Sequence, residues 1–500
     1  MTARVTAVLL LLLPTVVFAQ PKRLRFLVQP PGIEYVRIET TDTAQTIIDA
    51  EPAGTAFLFA TGYHRHQSIN PRTGDSFTGE SGAILTGSKI LASGSFVTSG
   101  SFWKITGQTQ AMGTRAGECQ ITLADGYMGS ISWATSYPGC TYREELFFNG
   151  VRKVHVQTLG EVGAGKWFFD YTTDEITVGD DPAGQLVETS VTTTAFNPTG
   201  NNVTITDLII EQYASAAQYG AVNCEGATGW SLTNVTLRLN HSGGIRICTD
   251  LYMSGGSVTY NGQEGIVGIG DGVTIDGVEI AYNNGAHFDP GWEAGGTKFV
   301  LTNNLIVRNC NIHHNEGPGL WLDIDNYLYT LHNNNVHDND QIGIFLEIGW
   351  AGDVYSNTVT NNGLAYWVPD YTWGAGILNA ATKDLEVYSN TLSGNRGGII
   401  GVQQSRGSGT FGTHLIVNYY VHDNTITVDK TGITPAWAGG IADDTSSSTI
   451  FTSDNNVWED NDYTLKTDLN DYFVWQNAER NWTQWNGYGH DTPGGSAVTF

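Results

Sequence analysis

Asp323 and Glu347 are the two residues whose types and spacing most directly suggest chemistry. They occur in Gly319-Leu-Trp-Leu-Asp and Gly343-Ile-Phe-Leu-Glu, each four residues after its glycine. If these segments are successive parallel strands, the two carboxylates are in register on strands about 4.8 Å apart. Neighbouring carboxyls can divide into one ionised group and one protonated group, the arrangement that retaining glycoside hydrolysis uses.

Alternation along these strands predicts which side chains accompany the pair, because successive residues of a strand point to opposite faces. Like charges stacked this closely repel each other, so a purely structural sheet would avoid the arrangement. The residues predicted to face the core are Leu320, Leu322, Ile324, Ile344, Leu346 and Ile348. The residues predicted to face solvent are Trp321, Asp323, Asp325, Phe345 and Glu347, with Trp321 stacked beside Phe345. Of these, Trp321, Asp325 and Phe345 are predicted to contact substrate.

The segment GAHFDPGWEAGGTKF precedes Gly319 and is predicted to add side chains to the same outer face. Alignment by Gly285 sets Asp289 level with Asp323, whereas alignment by Asn283 sets it level with Trp321. Both alignments keep Asp289 outward. The residues of this segment predicted to contact substrate are His287, Asp289, Trp292 and Glu293, with Trp292 offering an apolar platform for a sugar ring.

The sequence also allows other kinds of site. Asp289, Asp323, Asp325 and Glu347 could supply oxygen ligands to calcium, or they could simply form a solvated acidic face. Lys298 could act as the base of a lyase. Four histidines of these coils do not share a position relative to their glycines, so we predict no zinc site at His313, His314, His332 and His337. We predict no cofactor, with calcium as the alternative.

Repeats predict the elements that hold these residues. From about residue 200, a unit of β-rich residues, an Asn turn and a Gly recurs, and the closest glycines are 21 to 24 residues apart. This period is typical of one coil of a solenoid. Asn240, Asn261, Asn315 and Asn339 each lie four residues before such a Gly, so they are predicted to stack as a structural ladder. The predicted fold is an all-β, right-handed parallel β-helix.

The segment from about Thr98 to Thr192 loses the coil pattern and reads as antiparallel strands joined by polar turns. We therefore predict an inserted, β-sandwich-like subdomain. The predicted divisions are a signal peptide at 1–19, an N-terminal cap and first coils at 20–97, the insertion at 98–192, coils carrying the candidate site at 193–450, and a C-terminal coil and cap at 451–500.

Composition excludes several classes of protein. The formal charge of −26, from 24 Lys+Arg and 50 Asp+Glu, argues against a nucleic-acid binder. Arg4, the apolar run Val8 to Leu13 and the small residues before Gln20 indicate a secretory signal, so the mature protein is expected to be extracellular or periplasmic, with no membrane span. Of the five cysteines we pair Cys119 with Cys140. Cys224, Cys248 and Cys310 could be buried thiols or include a second bridge.

Two sets of segments resemble a known family. GLWLDIDN and GIFLEIGWAG resemble the active-site segment of secreted β-helix glycoside hydrolases of the β-xylosidase type, within the pectin-lyase-like superfamily. ELFFNGVRKV, WFFDY and DDPAGQLVETSV resemble the sandwich that this family inserts in its helix. The resemblance implies that Asp323 is a nucleophile and Glu347 an acid/base. HFDPGWE is also similar to the Asp-Pro-His motif of alginate epimerases, but Gly291 stands where that motif has His.

The sequence thus predicts an exported retaining glycoside hydrolase acting on a poly- or oligosaccharide, with a xyloside-like substrate. One alternative is a calcium-dependent lyase or epimerase acting on uronate polymers. The other is a glycan-binding β-helix protein without catalysis.

Overall fold

The computed structural model describes residues 26–27, 34–112, 117, 119–122, 128–131, 138–365, 372–428, 437–447, 449–466, 472–492 and 497–499. The predicted signal peptide lies outside these ranges. Three long sheets surround one interior, and most coils contribute one strand to each sheet in turn, as expected for a parallel β-helix. The fold class predicted from the repeats is confirmed.

The strands of the three sheets stack in chain order. The first sheet contains Phe26–Leu27, Glu34–Ile38, Ala56–Phe59, Ser76–Gly79, Thr204–Thr206, Ser231–Thr233, Tyr252–Ser254, Thr274–Asp276, Ile306–Arg308, Tyr327–His332, Trp350–Tyr355, Lys383–Tyr388, Tyr419–His422 and Val457–Glu459. The second sheet contains Gly62–Arg65, Ala83–Thr86, Ile209–Glu211, Thr236–Arg238, Ser257–Thr259, Glu279–Ala281, Asn311–His313, Asn335–His337, Thr358–Thr360, Thr391–Ser393, Thr425–Val428, Asp462–Leu465 and Ala497–Thr499. The third sheet contains Gly220–Asn223, Gly243–Arg246, Glu264–Gly268, Gly295–Val300, Leu320–Asp323, Ile344–Glu347, Ala375–Ala380, Gly397–Gln403, Gly439–Asp443, Phe473–Trp475 and Ala478–Arg480.

A separate eight-stranded sheet interrupts the coils and has a hydrophobic core of its own. Its neighbours are antiparallel except Val151–Val156 and Lys166–Asp170, which are parallel. Its strands in spatial order are Ser88–Leu91, Val187–Ser190, Leu146–Phe148, Val151–Val156, Lys166–Asp170, Glu175–Val178, Phe102–Ile105 and Val97–Ser99. Two small antiparallel pairs complete the strands: Cys119–Thr122 with Met128–Ile131, and Ser408–Gly409 with Gly412–Thr413.

The described residues include two α-helices, both of which pack against the apolar core of the coils. Ala44–Ala50 buries Ala44, Ile47 and Ile48 in that core. Trp482–Gly487 buries Trp485 in the same core. The 3-10 helices are Ser93–Ser95, Pro138–Thr141, Leu159–Glu161 and Thr449–Phe451.

Stacked asparagines fix the corner between the second and third sheets. Asn315 Oδ1 accepts from the backbone N and the Nδ2 of Asn283, at 3.1 and 2.9 Å. The same contacts repeat along the corner, through Asn240, Asn261, Asn283, Asn315, Asn339, Asn362 and Asn395. Each buried amide thereby satisfies the backbone of the coil before it, which keeps successive coils in register. We call this stack the asparagine ladder.

Two disulfides cross-link the chain. Cys119 pairs with Cys140, as predicted, and Cys224 pairs with Cys248. Of the two possibilities left open for the other three cysteines, the second bridge is therefore the one observed. Cys310 is free and buried. Two bridges in one chain are typical of proteins that fold in an oxidising compartment.

Candidate active site

Asp323 and Glu347 end neighbouring strands of the third sheet. The strands Leu320–Asp323 and Ile344–Glu347 are parallel, with Leu322 opposite Leu346. Asp323 and Glu347 come next on each strand, so their side chains leave adjacent strands on the same side. Leu322 and Leu346 belong to the interior core, so the two carboxylates lie on the outer face of the coils.

The outer face at this point is covered, so the predicted solvent exposure of the pair is wrong. Only 6% of Asp323 and 7% of Glu347 is accessible. Asp323 Oδ2 lies 3.0 Å from Lys298 Nζ. Glu347 Oε1 accepts from the guanidinium of Arg406, and its Oε2 accepts from Trp321 Nε1 at 3.1 Å. Each carboxylate therefore has a cation beside it, which compensates for the loss of water.

The two carboxyls differ in their electrostatic surroundings. Burial raises the pKa of Glu347 above its ordinary value, and the charge of Asp323 raises it further. Arg406 and Lys298 lower the pKa of Glu347 but do not cancel the rise. Glu347 therefore keeps its proton to a higher pH than a solvated glutamate, as a general acid must. Asp323 differs in having the ammonium of Lys298 3.0 Å from its Oδ2.

Trp321 and Phe345 stack on the outer face with ring centroids 5.2 Å apart. Each is only 3% exposed, so the prediction that both rings face solvent is wrong. They belong to a second apolar cluster, outside the coil interior, that also includes Trp437 and Leu378. Trp321 instead holds Glu347 through its indole N–H and lies 3.9 Å from Lys298 Nζ, measured to the ring centroid.

Strict alternation ends after Asp323. Ile324 was expected in the core but is 43% exposed, because Ile324 and Asp325 both adopt positive φ angles where the strand turns. Asp325 does not join the carboxylate pair's hydrogen bonds. It accepts from Trp350 Nε1 at 3.1 Å and from the backbone N of Thr410 at 2.7 Å. Burial opposes ionisation of Asp325, but these hydrogen bonds outweigh it and lower the pKa.

Both register alignments expected for the segment around Asp289 are wrong. Phe299 pairs with Leu322 and Val300 with Asp323, so the glycine level with Gly319 is Gly296. Residues 284–294 are thus an insertion between Asn283 of the ladder and the next strand. Asp289 lies in a turn of this insertion and accepts from the backbone N of Gly291 at 2.8 Å.

The other residues of the insertion that were predicted to contact substrate form contacts with residues other than Asp323 and Glu347. Glu293 is buried and accepts from Gln218 Nε2 at 2.6 Å. His287 Nδ1 contacts Glu316 at 3.0 Å. Trp292 packs against the cluster around the Cys119–Cys140 disulfide, and its backbone carbonyl accepts from Lys298. The carbonyl of Trp292 thus links the insertion to Lys298, which contacts Asp323.

Lys298 and Arg406 are the charged residues that sequence reasoning did not place beside the pair. A signal for Lys298 existed, because choosing Gly296 as the anchor places it level with Trp321 on the outer face. Arg406 has no such signal, since it lies in a connection 59 residues after Glu347. Glu264, on the strand before that of Lys298, is fully buried, and neither carboxyl oxygen has a hydrogen-bond partner among the described residues.

One family model and several solved structures are similar to this chain. A family described as the right handed beta helix region matches residues 220–392. Among solved structures, the complex of XylC with xylose is 12% identical, covers 93% of this chain and 86% of its own, and superposes with a TM-score of 0.60. A glycoside hydrolase is 10% identical over 88% of this chain and 91% of its own, with a TM-score of 0.37. The mannuronan C-5 epimerase AlgE4 A-module of Azotobacter vinelandii is 10% identical over 92% of this chain and 100% of its own, with a TM-score of 0.44.

A search of the curated proteins finds no significant match. Among the described residues, no helix has the length and apolar character needed to cross a bilayer. With the parallel sheets, the family match and the likeness to the XylC structure, the chain is shown to fold as a right-handed parallel β-helix.

Proposed function

We propose that this protein is a secreted carbohydrate-active enzyme, a retaining glycoside hydrolase with Asp323 as nucleophile and Glu347 as acid/base. One observation carries the proposal: two carboxylates leave adjacent parallel strands on the same outer face. Strands lie about 4.8 Å apart, which fits the roughly 5–5.5 Å separation of carboxyls in retaining enzymes.

The electrostatic asymmetry of the pair supports these two roles. Glu347, with its raised pKa, would protonate the oxygen of the leaving group. Asp323, beside Lys298, would attack the anomeric carbon as a carboxylate and form a glycosyl-enzyme. Water activated by the deprotonated Glu347 would then release the sugar with its original configuration.

We propose a xyloside-like substrate, following the likeness of the fold to XylC, whose structure holds xylose. Arg406 is the most exposed of the pair's partners, with 30% of its side chain accessible. We place the entrance for the sugar on this side, where the sugar would displace the guanidinium. The two disulfides support an extracellular or periplasmic location.

The calcium-dependent alternative has less support. Asp289 lies in the insertion, and Asp325 is held by Trp350 and Thr410. Asp323 and Glu347 already have Lys298 and Arg406 as counter-charges. We therefore propose a hydrolysis that involves no calcium ion.

The test is to incubate the mature protein with aryl β-xylosides and a glycan panel, and to analyse products by mass spectrometry and NMR. We expect products that have gained water, with the anomeric configuration retained in the first-formed sugar. Asp323→Asn should abolish release from every substrate, because no covalent intermediate can form. An unsaturated uronate product would instead establish a lyase, and a panel left intact would favour a binding protein.

A further inference from the structure

The outer face of the second sheet carries a group of histidines on two successive coils. His313 and His337 end the strands Asn311–His313 and Asn335–His337 and are register partners. Their rings are parallel, with centroids 4.8 Å apart. The expectation that these histidines lack a shared position is therefore wrong for this pair, and a metal site has to be considered.

The next residue on each coil completes the group. His314 and Asp338 both adopt positive φ angles, of 52° and 53°, where the chain leaves the second sheet. The potential ligand atoms of His314, His337 and Asp338 all lie within 4.8 Å of one another. Two imidazoles and a carboxylate are the ligand types that zinc and related transition-metal dications prefer.

Hydrogen bonds orient His337 as a ligand. Asn311 Oδ1 accepts from Asn335 Nδ2 at 2.8 Å and lies 3.1 Å from His337 Nε2, so Nε2 is the ring nitrogen that donates. Nδ1 then has a free lone pair when the ring is neutral, yet it lies 2.7 Å from the carboxylate of Asp338. Two electron-rich atoms at this distance require a cation between or beside them, either a proton or a metal ion.

Similar contacts orient the neighbouring residues His313 and His314. His313 Nε2 faces Glu279 at 3.3 Å, and His313 Nδ1 lies 2.9 Å from His314 Nδ1. A metal-binding histidine usually donates the N–H of its other ring nitrogen to a carboxylate or carbonyl oxygen. Here both stacked histidines have such support, and both direct the opposite nitrogen toward the residue that follows them.

We propose that His314, His337 and Asp338 bind a transition-metal dication of the zinc class, with Asn311 orienting His337. Ligand atoms around tetrahedral zinc lie roughly 3.3 Å apart for bonds of about 2.0 Å. The exposed side chains of His314 and Asp338 can rotate to reach this spacing. Because its ligands come from two coils, the ion would cross-link them, at a site on a different sheet from Asp323 and Glu347.

The test is isothermal titration of the untagged, chelator-stripped mature protein with Zn²⁺, with Co²⁺ absorption as a second readout. We expect one equivalent bound, cobalt d–d bands, and a melting temperature that rises with Zn²⁺ because the ion binds the folded state. His314→Ala, His337→Ala and Asp338→Asn should each lose this binding. Asn311→Ala should weaken it about 10- to 100-fold.

His422 supplies the matched control. Its Nδ1 lies 2.8 Å from Asp423, like the pair His337 and Asp338, but its Nε2 faces Glu386 at 2.9 Å. Among the described residues, His422 belongs to no group of three potential ligands, whereas His314, His337 and Asp338 bring theirs within 4.8 Å of one another. A folded His422→Ala variant should therefore bind zinc as the wild type does. Circular dichroism of each variant without metal checks folding. The proposal is overturned if the wild type binds no zinc at micromolar concentrations, or if folded His314→Ala and His337→Ala variants bind it undiminished.

Discussion

Lys298 Nζ lies 3.0 Å from Asp323 Oδ2, in a position where it also contacts the ring face of Trp321. One ammonium thus joins the proposed nucleophile to the indole that holds the proposed acid/base. The two carboxylates are therefore not independent: a change at Lys298 alters the surroundings of both.

Replacement of Lys298 by methionine should remove this shared charge while keeping most of the side-chain volume. Hydrogen bonds to charged groups contribute about 1.5–3 kcal/mol, so we expect kcat to fall about 10- to 100-fold. The measurement is steady-state hydrolysis of an aryl β-xyloside. Lys104→Met, which removes an ion pair with Glu175 in the inserted sheet, is the control and should leave kcat unchanged. Equal rates for both variants would remove Lys298 from the mechanism.

Glu347→Gln should separate the two steps of hydrolysis. The amide keeps the shape but donates no acid proton, so substrates with poor leaving groups should slow by ~10²–10⁴-fold. Aryl glycosides with good leaving groups should still form the glycosyl-enzyme, and added azide should restore turnover. Stopped-flow release of the aryl group measures both. A wild type silenced by chelator, with variants rescued by calcium, would favour the lyase or epimerase instead.

Arg406→Met should shift the pH dependence of activity. Burial and the charge of Asp323 raise the pKa of Glu347, whereas Arg406 and Lys298 lower it. Without the guanidinium, the pKa of Glu347 rises, so the acid stays protonated to higher pH. The alkaline limb of the kcat/KM profile should therefore move to higher pH. Arg308→Met, on the first sheet, should not move it. A shift to lower pH would contradict the assignment of Glu347 as the acid.

Glu264→Gln should stabilise the protein at alkaline pH. Burial, followed by the charge of Glu293, raises the pKa of Glu264 well above its usual 4.5. The folded state then binds a proton that the unfolded state releases, so stability falls as pH rises from about 4.5 toward the folded pKa. Glutamine cannot ionise, so the variant should melt above the wild type at pH 8 and near it at pH 4.5. The exposed Glu39→Gln is the control.

Asn315→Ala should destabilise the coils by removing one member of the asparagine ladder. Its amide accepts from Asn283 and donates to Ile280 O and Asn339 Oδ1. Buried groups left without partners cost about 1–3 kcal/mol each, so we expect a loss of about 3 kcal/mol in denaturant unfolding. Asn70→Ala removes an exposed amide, whose Oδ1 accepts from Asn197 Nδ2 at 3.0 Å, and should cost less than about 0.5 kcal/mol.

Residue positions could be predicted from the sequence within the repeated coils, but not in the connections that interrupt them. Gly319 and Gly343 set the register of Asp323 and Glu347, because strands paired coil by coil transmit position along the stack. Asp289 was misplaced because a long connection, residues 284–294, separates Asn283 from its strand. Arg406 could not be predicted, since only the folded path of its connection brings it to Glu347.

The asparagine ladder also bears on how such a site can diversify. Asn261 and Gly265 are four residues apart, but Asn283 and Gly296, and likewise Asn362 and Gly376, are separated by long connections. In all three coils the amide stays bonded to its neighbours. Extra residues thus follow directly after the ladder asparagine, and the strands that come next keep their register. Connections that follow the ladder asparagines can therefore differ in length without changing the strand register. Replacing such a connection is a way to alter specificity while keeping the β-helix.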